Sequence, residues 1–244
     1  MVRSTVGNGG ARVPALNQLK ALMARAEAIL LDFDGPVCRL FSGLPAPQVA
    51  DGIRAILRDR GADLPQKLQS EPDPLVLLRW TADSAPSVLR DVERAQERFE
   101  QEAAAVADPT PGASELLRAA AIYGTPVAIV SNNSASAIQK YLNRSELGHL
   151  VEAVVGRVAG RPTLMKPEPY LVHRGAAAVG AAESACVFIG DSPSDMTAGK
   201  KAGTICIGYA KRETRIPELT DAGADIVLED MQAVADAIEE MTLP

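Results

Sequence analysis

Asp32 and Asp34 stand two residues apart at the end of the apolar run AILLDFDGPV, with Gly35 and Pro36 directly behind them. Residues i and i+2 of an extended strand share a face, so both carboxylates can point at one reactant. Two other apolar segments end in similar chemistry. PVAIVS (126–131) closes on Ser131-Asn132-Asn133, and ACVFIG (185–190) runs into Asp191-Ser192-Pro193-Ser194-Asp195. Carboxylates gathered at one point repel one another and are tolerated when a hard divalent cation sits among them. Mg2+ suits such a set, because it takes oxygen ligands and only a few carboxylates, filling its octahedron with water and phosphate oxygens. With that charge in place a phosphate dianion can approach, and a carboxylate can attack phosphorus to give an aspartyl-phosphate.

These residues meet only if the fold carries them to one place. Residues 28–33 form a short continuous apolar run, as a buried parallel strand does. From residue 108 onward, strands and helices alternate. Strands are predicted at 126–131, 151–156, 185–190, 204–209 and 224–229, and helices at 133–143, 167–179, 194–202 and 230–241. Such alternation implies right-handed crossovers and an α/β fold with a doubly wound parallel sheet. In these sheets ligands bind beyond the carboxyl ends of the strands, which is where the acids and Ser131 stand.

Residues 36–108 read differently. PQVADGIRAILRDRG, DPLVLLRWTADS and PSVLRDVERAQERFEQEAAAVA are helical patterns punctuated by Pro and Gly, with no strand among them. The expected organisation is a loose tail over 1–14, an α/β core from 15–36 and 108–244, and an α-helical insertion over 37–107. A short helix in ALNQLKALMARAEAIL should precede the first strand.

The 244 residues are 47% hydrophobic, enough for a substantial core, and carry a formal net charge of −6. There is no long basic run, which disfavours a nucleic-acid or anionic-membrane surface. No segment approaches the ~18–20 apolar residues of a spanning helix, and the Gly-rich start has no apolar signal region. Cys38, Cys186 and Cys206 form no CxxC pair and no metal spacing, and read as thiols in a reducing compartment. A cytoplasmic protein, monomeric or homodimeric, is expected.

LLDFDGPV, IVSNN, KPEP and FIGDSPSD, in this order and spacing, resemble the four motifs of the haloacid dehalogenase superfamily, over roughly residues 26–210. The resemblance implies a Rossmann-like core, a helical cap formed by the insertion, and roles for the matching positions. Asp32 would be the nucleophile and a metal ligand. Asp34 would be the general acid/base, with its backbone carbonyl on the metal. Ser131, with a neighbouring backbone N–H, and Asn132 would bind the transferring phosphoryl group. Lys166 would neutralise charge on Asp32 and the phosphate. Asp191 would complete the Mg2+ site and Asp195 would support it. Gly35 would allow the tight path after the acids and lie against the substrate.

Halide-displacing and phosphonate-cleaving relatives depart at the Asp34 position. Its retention favours phosphate ester hydrolysis, and the cap favours a small phosphorylated metabolite. The alternative is a phosphosugar mutase of the β-phosphoglucomutase type, although the insertion lacks the histidine such mutases use. A non-catalytic binding protein on the same scaffold is the third reading.

Each residue also has a plainer role. Ser131 or Asn132 can cap the helix over 133–143, and Ser192 or Ser194 the helix that follows. Asp195 can simply favour that helix's positive end. Lys166, before Pro167, can be one more solvated lysine, although its place in KPEP, opening a helix, favours the active site. His149 and His173 fit no metal pattern and read as surface or structural. Trp80 reads as a helix contact, and Arg39, Lys67 and Arg79 as solvated.

Overall fold

The computed structural model describes residues 12–240. Helix α1 (Arg12–Met23) opens the described chain. The expected tail therefore lies outside the described residues up to residue 11, and its last three residues are helical instead. β1 (Ala28–Leu31) follows. The chain then leaves through β2 (Cys38–Arg39) into α2 (Ala46–Asp59), α3 (Pro74–Ser84) and α4 (Leu89–Val106), and returns through β3 (Asp108–Pro109). β2 and β3 pair antiparallel, Cys38 opposite Pro109 and Arg39 opposite Asp108. This two-residue ribbon, where only helix was expected, ties the exit and return of the helical segment together.

The remainder alternates α5 (Ala113–Ile122), β4 (Val127–Val130), α6 (Ala135–Arg144), β5 (Ala153–Val155), α7 (Tyr170–Ala178), β6 (Cys186–Gly190), α8 (Pro193–Ala202), β7 (Ile205–Tyr209), α9 (Ile216–Asp221), β8 (Ile226–Leu228) and α10 (Gln232–Glu240). The six long strands form one parallel sheet in the order β5-β4-β1-β6-β7-β8. The chain winds outward from β1 to one side, then to the other, so the topological switch falls at β1 and its neighbours. That crevice is where such sheets bind ligands.

Strand periodicity divides the core into two layers. Ile29, Leu31, Ile129 and Ile189 pack on one face with residues of α1, α5, α6 and α10. Ala28, Leu30, Val130 and Phe188 pack on the other with residues of α7 and α8. The helical segment has its own apolar cluster, including Ile53, Leu57, Leu77, Leu78 and Val92. Helix α4 belongs to both bodies. Val92 and Ala95 sit in the helical cluster, while Ala103 and Ala104 are buried in the sheet core. No helix among the described residues is long and apolar enough to cross a membrane.

Candidate active site

Register brings the acids level. Leu31 pairs with Ile129 on one side and Ile189 on the other, so Asp32, Val130 and Gly190 are the next residues on three adjacent strands. Asp32 N–H continues the ladder by donating to the Ile189 carbonyl at 2.9 Å. After Asp34 the chain folds back on itself: Val37 and Cys38 N–H both donate to the Phe33 carbonyl, and Gly35 N–H to the Cys38 carbonyl. Gly35 has φ +133°, and a Cβ there would lie 2.4 Å from the Asp191 carboxyl carbon. Only glycine allows both the backbone angle and that approach.

Lys166 is the centre of the cluster. Its ammonium lies 2.7 Å from Asp32 Oδ1, 2.6 Å from Asp195 Oδ1 and 3.0 Å from the Val130 carbonyl. Three donors meet three acceptors, which is what an ammonium can satisfy. The side chain is 2% exposed. Burial alone would lower its pKa, but Asp195 and Asp32 reverse this and hold it above the ordinary lysine value. Burial pushes Asp32 up; Lys166 opposes the rise and Asp195 and Asp191 add to it.

Asp34 faces the same cavity, its Oδ1 accepting from Leu40 N–H at 2.9 Å. Burial raises its pKa to about 6 against the pull of Lys211. Burial likewise raises Asp191 to about 6, again against Lys211, whose ammonium lies 2.8 Å from Asp191 Oδ2. Asp195 serves two ends at once. Its Oδ2 accepts from Ser192 N–H and Oγ–H, closing a capping box on α8 with Ser192 Oγ, while Oδ1 takes Lys166. Ser192 is thus the cap; Ser194 only touches Ser192 Oγ at 2.8 Å.

Oxygen atoms of Asp32, Asp191 and Asp195 lie within 4.8 Å of one another. An all-oxygen set of this kind fits a hard divalent cation such as Mg2+. The Asp34 carboxylate is outside that group.

Ser131 and Asn132 line the cavity with the acids, but neither caps α6. Ser134 is the N-cap, accepting from Ala137 N–H. Ser131 Oγ–H donates to Asn133 Oδ1 at 3.1 Å and its oxygen accepts from Asn133 N–H at 3.3 Å. Asn132 reaches the site as a clamp. Its Oδ1 accepts from Lys166 N–H at 2.8 Å and its Nδ2–H donates to the Lys166 carbonyl at 3.1 Å. KPEP does not open a helix: α7 begins at Tyr170, and the Lys166–Pro167 peptide is cis. Gly35 does not line the cavity; it lies against Asp191.

The cavity, of about 570 Å³, lies between these strand ends and the helical segment. From that segment come Phe41, Pro47, Leu75 and Arg79. Arg79 is not solvated as expected: its guanidinium is half-buried and donates to the Lys166 carbonyl at 2.7 Å. Arg39 pairs with Asp108 at the surface, Lys67 is exposed, and Trp80 packs on the helical cluster. His173 pairs with exposed Glu183, and His149 is away from the cavity.

Two features escaped sequence reasoning. Lys211 stands just beyond the end of β7, and its signal was the same strand-end position that flagged the acids. Glu100 on α4 is fully buried and accepts from Arg157 Nη1 at 2.5 Å, Gln96 Nε2 at 3.0 Å, Asn133 Nδ2 at 3.3 Å and Ser134 N–H at 2.9 Å. It joins α4 to the loop that carries Ser131.

A model of the haloacid dehalogenase-like hydrolases matches residues 26–203. Phosphoglycolate phosphatase of Pseudomonas fluorescens is 24% identical over 55% of this chain and 50% of that protein. The chain thus spans about half the length of the phosphoglycolate phosphatases it matches. Enolase-phosphatase E1 of a Bradyrhizobium strain is 28% identical over 82% of this chain and 94% of that protein. A solved hydrolase of the same broad family from Deinococcus radiodurans, with bound phosphate and sodium, has TM-score 0.59 and 26% identity, covering 89% of this chain and 97% of its own.

Proposed function

The chain belongs to the haloacid dehalogenase-like hydrolase family, and from that premise we propose a Mg2+-dependent phosphatase that hydrolyses a small phosphorylated metabolite through an aspartyl-phosphate. One observation carries the reading. Asp32 is a carboxylate on the wall of a substrate-sized cavity, ion-paired to a buried lysine and grouped with Asp191 and Asp195.

Asp32 attacks phosphorus as the bond to the leaving alcohol breaks, and Asp34 gives that alcohol its proton. Asp34, now a carboxylate, takes a proton from water as the oxygen attacks phosphorus. The bond to Asp32 breaks, releasing phosphate and restoring both acids. Lys166 balances charge on Asp32 and the phosphoryl oxygens throughout. Ser131, one residue past β4, exchanges its contact with Asn133 for a phosphoryl oxygen. Mg2+ would be held by Asp32, Asp191 and the Asp34 carbonyl, and supplies the positive charge that lets a phosphate dianion approach carboxylates. Both oxygens of Asp195 are engaged by Lys166 and Ser192, so its share is support. The helical segment closes the leaving-group side against water.

The test is a panel of phosphorylated metabolites assayed with Mg2+, with EDTA, and with Asp32→Asn. The reading expects phosphate release lost in both controls. Conversion of one phosphosugar isomer into another without phosphate release would favour a mutase instead. No turnover across a broad panel would favour a binding protein.

A further inference from the structure

Cations on the sheet side of the cavity are committed to acids. Lys166 pairs with Asp32 and Asp195, and Lys211 with Asp191. The helical side is different. Its lining is mostly apolar, with Phe41, Ala46, Pro47 and Leu75, and Arg79 is the only side-chain donor it offers among the described residues.

Arg79 pairs with no acid among the described residues. One Nη2–H donates to the Lys166 carbonyl, which is neutral, and its other N–H groups have no acceptor there. Arg54 and Arg157, likewise withdrawn from solvent, each pair with a carboxylate. The acids near Arg79 are placed otherwise. Asp73 is exposed and accepts from Leu75 N–H, Asp83 is exposed, and Glu168 pairs with Lys201. Burial disfavours the charge on the guanidinium, and Asp73 offsets that only in part, through space. A half-desolvated guanidinium with N–H groups to spare is suited to receive a planar anion in a two-bond fork.

Its position suits a short substrate. Lys166 reaches Asp32 with its ammonium and Arg79 with its carbonyl, so the guanidinium stands about one lysine side chain from the attacking carboxylate. Resting on the phosphatase reading, we infer that Arg79 is a specificity-determining residue that binds a carboxylate on the leaving group. The substrate is then the phosphate monoester of a short hydroxy acid, with its phosphoryl group at Asp32 and its carboxylate at Arg79. A polyhydroxylated sugar fits this wall less well. It would find a single side-chain donor beside Pro47, Pro72 and Pro74, which have no backbone N–H.

Matched pairs test it. 2-Phosphoglycolate against 2-hydroxyethyl phosphate, and 3-phosphoglycerate against glycerol 3-phosphate, each exchange a carboxylate for a neutral group. The acid of each pair should have the higher kcat/KM by at least ~10-fold, as hydrogen bonds to a charged group warrant. Arg79→Gln should remove most of that preference, chiefly through KM of the acid, and Arg79→Lys should recover only part of it. Calorimetry with Asp32→Asn should show each acid binding more tightly than its neutral partner, and adding Arg79→Gln should erase the difference. Equal or better handling of the neutral members, or a loss in Arg79→Gln that falls equally on both members, overturns the inference and leaves the phosphatase reading standing. Absence of turnover on these esters and on a broad panel, alongside tighter binding of the acids that needs Arg79, sinks the phosphatase reading and keeps the assignment of Arg79. Absence of turnover with no difference in binding overturns both.

Discussion

Glu100 and Arg157, from the helix that leaves the insertion and the loop after β5, form a 2.5 Å ion pair that solvent does not reach. Arg157 Nη1 also donates to the Asn132 carbonyl, and Arg157 N–H to the Asn133 carbonyl. The pair therefore fixes the loop from Ser131 to Ser134 from two sides. Removing one partner of a buried pair strands the other charge and costs about 3–5 kcal/mol. Urea unfolding of Glu100→Ala should show a loss of that size. Replacing both residues by Met should recover part of it. A loss in the double variant equal to the sum of the two single-variant losses would mean the two residues are not coupled.

Lys166 has three acceptors for its three protons, and a planar guanidinium cannot reproduce that arrangement. Lys166→Met should lower kcat by ~10²–10³-fold, the usual cost of removing one preorganised electrostatic group. Lys166→Arg should not restore it. Near-normal turnover by the arginine variant would show that charge alone suffices.

Asp191 lies against Gly35 and beside Asp32, where a metal ligand would be needed. Asp191→Asn should raise the Mg2+ concentration for half-maximal activity at least ~10-fold, since even supporting groups around a metal cost that much. Mg2+ should also raise the Tm of the wild type more than that of the variant. An unchanged Mg2+ requirement would remove Asp191 from the metal site.

The three thiols are fully buried. Burial raises Cys38 well above an ordinary thiol, with Asp34 and Asp32 adding to the rise, and it raises Cys186 to about 11 and Cys206 upward as well. A raised thiol pKa means little thiolate, the reactive form, at pH 8. Ellman's reagent should therefore label none of the three in native protein and all three after denaturation. Rapid labelling of one thiol in the native state would show that its site opens.

How far this could be read from sequence depended on where each residue stood. Asp32, Ser131 and Asp191 were legible because an apolar run followed by a polar residue marks a strand end, and strand ends converge in a parallel sheet. Lys166 was marked only by its motif, since it sits in a turn that no periodicity describes. The cap of α6 was misplaced because SNNS offers four good capping residues in a row, and only backbone geometry selects Ser134. Glu100 left no trace. A glutamate in EQEAAA reads as a solvated charge, and its partner lies 57 residues away in a loop. Arg79 misled for the same reason: its contact is with the turn backbone at Lys166 across the cavity, not with its own helix.

The aspartyl-phosphate on Asp32 is the central claim. Wild-type enzyme turning over substrate with Mg2+ would be acid-quenched, reduced with borohydride and mapped by mass spectrometry, because reduction converts an acyl phosphate at aspartate to homoserine. The account predicts homoserine at position 32, absent without substrate, and no phosphate release by Asp32→Asn. Phosphate release by that variant, or homoserine at another aspartate, would contradict it.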